Sequence, residues 1–420
     1  MIQLYLEKNP KFINIGYKKM LESYFDSNII YSDSFSSSFN ALGQDAYEII
    51  ADFEILQKQW ARENGVECVS ESWMGEILLA QIKKLKPDIV YFQSIEWNIP
   101  GQLFSDRKSD NLIKILKEEC PFIKKFIIYS GYPSDTDSIE GADIFFTSDP
   151  GIFKHYKGQG LNSMVMYHSF DERIIKKLDG TGKKHNFSFI GSSRGFIGSS
   201  RAPESRYWAL RQLLCETDLK VWIYDKPPHK TISIDPKYSI KQYVRSALKR
   251  GFQLFSDDRV NFLTNSNSIP DKIRNIFLEI FREREKEGKE PLLDELFPER
   301  CNLPVMGMDM YNLLHQSKIT FNKHADKSFG NVGNMRMFEA TGVSTCLVTD
   351  TGYNMDDLFE PDKEIVTYSS TDEAVEKVNY LLNHPDEAEK IAKAGQTRTL
   401  RDHTTMNRCQ EIDQVIKKLL

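Results

Sequence analysis

Two periodicities alternate along this chain. Short apolar runs rich in β-branched and aromatic residues occupy 2–6, 28–31, 89–93, 126–130, 144–147 and 164–167. Several are apolar throughout, as strands buried on both faces of a parallel sheet are. Between them, apolar residues recur every three to four positions over 17–24, 45–63, 74–84, 110–119 and 151–157, which predicts amphipathic helices. A second series follows, with strands at 187–190, 220–224, 319–322, 345–348 and 364–368. Its helices are predicted at 204–216, 308–317, 335–341, 371–383 and 385–395, and a last one runs from about 404 to the C-terminus.

Alternating βα units of this kind predict an α/β protein with two Rossmann-like, doubly wound domains facing a cleft. The N-terminal domain is assigned to 1–170. A polar, basic stretch containing DGTGKK makes 171–185 the linker. The C-terminal domain is assigned to 186–403, interrupted by a charged helical insertion over 227–303. The helix at 404–420 is placed as an appendix that packs back on the N-terminal domain. Ligands of such folds sit beyond the carboxyl ends of the parallel strands.

Composition removes several classes of function. The chain has 420 residues, 40% hydrophobic and 27% charged, which is ordinary globular usage. Its net charge of -5 disfavours bulk nucleic-acid binding. The six cysteines, Cys68, Cys120, Cys215, Cys301, Cys346 and Cys409, are scattered, so free thiols are expected. No apolar run approaches the roughly 18 residues that span a bilayer, and no leader-like segment opens the chain, so a cytoplasmic location is expected. The basic amphipathic stretch at 240–255 is compatible with peripheral contact to the inner face of a membrane.

The most informative stretch is 307–350. A helix feeds the strand at 319–322. A polar loop then carries Gly330 and Gly333 into a helix that begins near Asn334 and is expected to end on Gly342 as a C-terminal glycine. A glycine-bearing loop entering a helix offers backbone N–H groups and the positive end of the helix dipole to a diphosphate. Glu339, one turn further in, has the reach to accept hydrogen bonds from a ribose diol. Arg336, three residues before it, is equally a simple ion-pair partner for that carboxylate.

These residues resemble the C-terminal domain of GT-B glycosyltransferases of the group 1 type, and more narrowly the spore-maturation-type (CgeB-like) enzymes. The resemblance rests on Gly307, Met310, Tyr311, Lys318 and Asn322, then on Asn334, Arg336, Phe338, Glu339, Ala340 and Gly342. It continues through the last helices to His403, Thr404 and Arg408, and includes 187–192 with Arg206 and Leu210. It covers roughly 187–226 and 303–415; the N-terminal half matches only in general shape, with a crossover at His168 to Asp171.

What the resemblance implies is a nucleotide-sugar donor, a UDP-sugar or GDP-sugar, bound by Gly191, Ser192, Arg201, Arg206, Asn322, Gly333, Asn334, Arg336 and Glu339. Glu339 takes the place of the family's second glutamate, the ribose ligand. The first falls at Asn331, a departure that leaves the contact to the sugar ring open. Arg201 and Arg206, with Arg194 behind them, offset the diphosphate charge, because a guanidinium donates two parallel hydrogen bonds to phosphate. Protein cations and amides then stabilise the leaving nucleotide with no metal and no further cofactor. The acceptor is a glycan, a lipid-linked glycan or a protein. An inverting reaction needs a base from the N-terminal half. Glu96, just after a strand, and His168, at the crossover, are the candidates; each is also readable as an ordinary loop residue.

Other signals are weak. Asp135-Thr136-Asp137 is a literal DxD, but no HxxxH or HExxH accompanies it, so no metal site is assigned. No Walker loop, nucleophile elbow or GxGxxG is present. Two rival readings stand beside the transferase. One is an epimerase of the same shape, acting on the nucleotide sugar. The other is a non-catalytic nucleotide-sugar-binding module.

Overall fold

The computed structural model describes residues 15–420 apart from 30–31, 68–71, 100–102, 105–106, 108, 132–138, 194–204, 224–290 and 325–329, together with Leu6, Asn9 and Phe12. Residues 2–5 of the strand expected at 2–6, the basic stretch at 240–255 within the insertion, the DxD motif, Arg194 and Arg201 therefore lie outside the described residues.

The elements before the first strand are helices α1 (Tyr17–Ser27), α2 (Ser34–Ala41), α3 (Glu54–Glu63) and α4 (Trp73–Leu85). Strands β1 (Ile89–Phe92), β2 (Lys125–Tyr129), β3 (Ile144–Thr147) and β4 (Ser163–Val165) follow, with α5 (Leu112–Glu119) before β2 and α6 (Pro150–Gly158) before β4. The four strands form a parallel sheet in sequence order, with Tyr91 opposite Ile127 and Ile128 opposite Phe145. β3 reads Ile-Phe-Phe-Thr and is buried at every position, as a strand covered on both faces requires.

Three sequence expectations in this half are corrected. No strand forms at Asn28, which instead ends α1 in the left-handed conformation with φ 50°. The helix expected over 45–63 begins only at Glu54. Ahead of it, Asn40 accepts from the Ala46 N–H at 2.8 Å and donates to the Ala46 carbonyl at 3.2 Å, so a side chain takes the backbone groups that a helix would use. The serine-rich α2 was not expected. Its Phe35 and Phe39 pack against the cluster of Ile127, Ile144, Phe146 and Met166, so tertiary burial overrides weak propensity.

The chain continues through β5 (His185–Gly191), α7 (Ser205–Glu216), β6 (Lys220–Ile223), α8 (Leu293–Leu296), β7 (Cys301–Asn302), α9 (Gly307–His315), β8 (Ser317–Asn322), α10 (Met335–Gly342) and β9 (Cys346–Asp350). It ends with α11 (Met355–Leu358), β10 (Val366–Tyr368), α12 (Thr371–Asn383), α13 (Pro385–Asp402) and α14 (Thr405–Leu419). By internal contacts the chain divides into Met1–Phe189 with Val305–Leu420, and Ile190–Pro304. The first unit holds the four-stranded sheet and the parallel strands β10, β9, β8 and β5, in that order. Ile319 of β8 lies between Phe187 and Cys346 in this register. In the second unit β6 pairs β7 in parallel, and Arg300 donates to the Leu214 carbonyl at the end of α7 at 2.9 Å. Both sheets are thus the parallel, helix-connected kind that the alternating pattern predicts.

The predicted linker buries more than its polarity suggests. A 3₁₀ turn, Glu172–Lys177, carries the buried Ile174, and Arg173 bridges Asp171 and Asp33. The final helix lies against the first half of the chain: Ile412 joins the cluster of Ile127, Ile144 and Phe146. Gln44 also donates to Asp413 at 2.8 Å. The backbone of Phe170 is pinned there, donating to His403 O and accepting from Thr405 N, both at 2.9 Å. The five described cysteines are free.

Gly342 has a different role from the one expected. The helix ends on it as expected, but the residue in the left-handed conformation is Ser344, with φ 59°, not the glycine. A side chain at Gly342 would sit 2.5 Å from the ring of Phe170, so close approach, not helix termination, excludes one.

Candidate active site

The carboxyl ends of β8 and β9 build the site. Their register puts Asn322 beside Thr349, so the residues that follow, His324 and Asp350, emerge together. Asp350 accepts the backbone N–H of His324 at 3.0 and 3.1 Å and lies 2.7 Å from its ring Nδ1. Lys323 reaches the same carboxylate at 3.9 Å. Burial raises the Asp350 pKa, but the hydrogen bonds from His324 and the nearby Lys323 charge outweigh it and hold the carboxyl below the usual range.

The glycine loop is fixed on several sides. Gly333 N–H and Asn334 N–H donate to His324 Nε2 at 3.0 and 3.3 Å. Asn354 accepts from Val332 N–H and donates to Val332 O, each at 2.8 Å. Tyr353 N–H donates to Gly330 O at 3.0 Å. Gly330 sits at φ 76° with the Tyr353 ring where a side chain would be, so both its backbone and its space demand glycine. Asn331, the departure from the family pattern, donates to Asp149 Oδ1 at 3.2 Å. Asp149 caps α6 through Gly151 N–H at 2.6 Å and Ile152 N–H at 3.2 Å. Burial pushes its carboxyl up. Its Oδ2 makes no hydrogen bond among the described residues.

Three loop N–H groups read from sequence as turned toward a diphosphate are therefore engaged inside the protein. The helix start itself is arranged differently. Asn334 caps nothing with its side chain; its amide pairs with Asn322, donating at 2.9 Å and accepting at 3.2 Å. Asn322 also donates to Thr349 Oγ1 at 2.9 Å. Met335, the first residue of α10, is half exposed, and its N–H has no partner among the described residues.

Within α10, Arg336 Nη1 lies 2.8 Å from Glu339 Oε2. The pair is no surface bridge: the two side chains keep 15% and 9% of their exposure. Met310 Sδ lies 3.1 Å from the same guanidinium nitrogen. Burial raises the neighbouring Tyr311 phenol well above its usual range, and the Glu339 charge adds to this. Glu339 Oε1 makes no hydrogen bond among the described residues.

The structure thus brings Asn322, Gly333, Asn334, Arg336 and Glu339 onto one strand–loop–helix unit. Gly191, Ser192 and Arg206 lie in the other unit, where Arg206 Nη1 donates to Ser192 O at 3.3 Å. Glu96 is exposed on a 3₁₀ turn (Ile95–Asn98), its N–H donating to Ser94 Oγ at 3.3 Å. His168 turns its ring to Tyr129, whose hydroxyl is 3.2 Å from Nδ1. Burial, with Arg408 nearby, lowers it to about 4, which makes it a weak base near neutral pH. Its neighbour Tyr167 is the residue that meets the loop: its hydroxyl accepts from Asn354 at 3.2 Å and its ring packs at Gly333.

Sequence reasoning missed His324, Asp350, Asn354, Asp149 and Tyr167. One signal was available for the first two: each lies just beyond the carboxyl end of an apolar strand, where ligand sites of parallel sheets are built. Among the described residues no helix is long and apolar enough to cross a membrane.

Residues 289–414 match the family model described as glycosyl transferase-like. That segment contains the whole strand–loop–helix unit, so the part of the chain that builds this site is glycosyltransferase-like. No curated protein matches the chain. Among solved structures, it is similar to a sucrose-phosphate synthase from Thermosynechococcus elongatus at 8% identity and TM-score 0.47, over 89% of this chain and 80% of that one. It is also similar to Anabaena HepE in complex with UDP and glucose, at 10% identity and TM-score 0.47, over 86% of this chain and 89% of that one. A Rickettsia africae glycosyltransferase follows at 11% identity and TM-score 0.44, over 87% of each chain. At these similarities no feature of those proteins is transferred to this chain.

Proposed function

We propose that this protein is a glycosyltransferase of GT-B type that moves a sugar from a nucleotide-diphosphate donor to a glycan, lipid-linked or protein acceptor. In this reading 186–403 holds the donor and 1–170 the acceptor. The single observation that carries it is the strand–loop–helix unit inside the glycosyl transferase-like segment. There, an α10 N-terminus without a side-chain cap stands one turn from a buried carboxylate with an uncommitted oxygen.

The chemistry follows from the charges. As the glycosidic bond breaks, the electron pair leaves with the diphosphate and the sugar becomes oxocarbenium-like. The Met335 N–H and the α10 dipole face the growing negative charge. Glu339 Oε1 receives the ribose hydroxyls while Oε2 stays on Arg336, so nucleotide binding need not break the buried pair. The mechanism needs no metal. Where the family pattern places a first glutamate, Asn331 stands with the Asp149 carboxylate on its amide, so a carboxylate is still brought to that position. The narrower spore-maturation-type assignment rests on the sequence resemblance.

Calorimetric titration with UDP, GDP, CDP and ADP, with and without Mg²⁺, tests the reading on wild type and Glu339→Gln. One nucleotide is expected to bind without metal. The substitution is expected to weaken it about tenfold, or ~1.4 kcal/mol. Gln keeps a hydrogen bond to Arg336, so folding is preserved. Failure of all four to bind, or affinity indifferent to Glu339, refutes the donor site.

A further inference from the structure

We infer that His324, oriented by Asp350, is the positioning residue that holds the 330–334 loop in register with the α10 N-terminus, and that it does so only as the Nδ1-protonated neutral ring. The inference rests on the donor-site reading for its functional meaning, but its geometry stands alone. The Asp350 carboxylate accepts from Nδ1 at 2.7 Å and so assigns the ring proton to that nitrogen. Nε2 is left with a lone pair, and two consecutive backbone N–H groups, Gly333 and Asn334, point at it. His324 is buried, with 6% exposure, and Gly333 beside it is buried too, so the Gly333 amide has no water to fall back on.

The arrangement is the one by which a carboxylate fixes the tautomer of a histidine whose other nitrogen does the work. Here that work is accepting hydrogen bonds from a loop. A proton on Nε2 turns the acceptor into a donor that faces two other donors. The loop must then release Gly333 and Asn334, and the first turn of α10 loses its register.

A side chain of Gln places Oε1 where Nε2 lies, accepts from both amides and does not titrate. A side chain of Asn places Nδ2 where Nδ1 lies, keeps the bond to Asp350 and offers the loop nothing. The two variants therefore divide the two halves of the device.

Hydrogen exchange of the peptide covering 330–336, read by mass spectrometry and corrected for intrinsic rate, tests this on the full chain at about pH 8. His324→Gln, which keeps an acceptor for both amides, is expected to be as protected as wild type. His324→Asn is expected to lose about tenfold or more of that protection, the size of one lost hydrogen bond, while its circular dichroism matches wild type. His324→Asn as protected as wild type overturns the inference. Equal loss in both variants reduces His324 to a packing residue and overturns it as well. UDP titration of the same three proteins separates the two readings: the expected exchange pattern with no nucleotide binding leaves His324 in place and removes the donor site.

Discussion

Gly342→Ala isolates one packing contact whose sign the structure decides. Gly342 is the last residue of α10 and its φ is not in the left-handed region. On propensity alone, alanine there would stabilise the helix by up to about 1 kcal/mol. The added Cβ, however, falls 2.5, 2.5 and 2.6 Å from three atoms of the Phe170 ring. That ring keeps 1% of its exposure, and hydrogen bonds to His403 and Thr405 pin its backbone on both sides, so it has nowhere to retreat. Overpacking of this kind costs about 1–3 kcal/mol and outweighs the propensity gain. Phe170→Ala alone leaves a cavity and is expected to cost about 3–5 kcal/mol. In the double variant the new methyl group enters the vacated space. Its cost should then be no greater than that of Phe170→Ala, a coupling of about 1 kcal/mol or more. Equilibrium urea unfolding of the four proteins measures the cycle. A neutral or stabilising Gly342→Ala, or costs that add within about 0.5 kcal/mol, refutes the close-approach argument.

Two further predictions concern acid and base. His403 accepts from Arg408 at Nδ1 and lies 2.8 Å from the Leu358 carbonyl at Nε2; burial first, and Arg408 nearby, lower it from 6.5 to about 4. The unfolded chain therefore binds the extra proton between those values, so stability is full above pH 6.5 and falls as pH drops toward 4; thermal unfolding of wild type should show this slope and His403→Gln a shallower one. Glu48 behaves oppositely: burial raises it from 4.5 to about 7, so the folded state favours the protonated acid and stability is lost as pH rises through that window. Glu48→Gln keeps the acceptor for Ser36 N–H and should raise the melting temperature at pH 8 relative to wild type, with the difference vanishing near pH 4.

How far the sequence reached depends on the range of the cause. Strand β3 was legible because three apolar residues in a row followed by a β-branched threonine mark a strand buried on both faces. Helices α12 and α14 were legible because their caps, Ser370 and Thr404, are local signals. The strand–loop–helix unit around Asn334 was legible for the same reason: glycines, a polar loop and an apolar helix face lie within about thirty residues of one another in sequence. Chain proximity also made the Arg336–Glu339 pair readable, since three residues along a helix bring them together wherever the helix sits.

What stayed hidden was decided by contacts between distant segments. Helix α2 exists because Phe35 and Phe39 find an apolar cluster built from β2, β3 and the start of the crossover, not because its serines favour helix. Gly342 is glycine because Phe170 arrives from the crossover, which no helix-ending rule anticipates. The burial of the Arg336–Glu339 pair depends on what covers it, Met310 among the covering residues, and burial is what separates a weak surface bridge from a pair whose loss is costly. His324 meets Asp350 only because β8 and β9 align Asn322 with Thr349, a register that no local pattern encodes. The sequence by itself determined the alternation of strands and helices, the parallel sheets and the segment that holds the site, because each follows from period and local caps. Only the tertiary structure decided which N–H groups the loop keeps for itself, since a hydrogen bond is assigned by the neighbour that reaches it first.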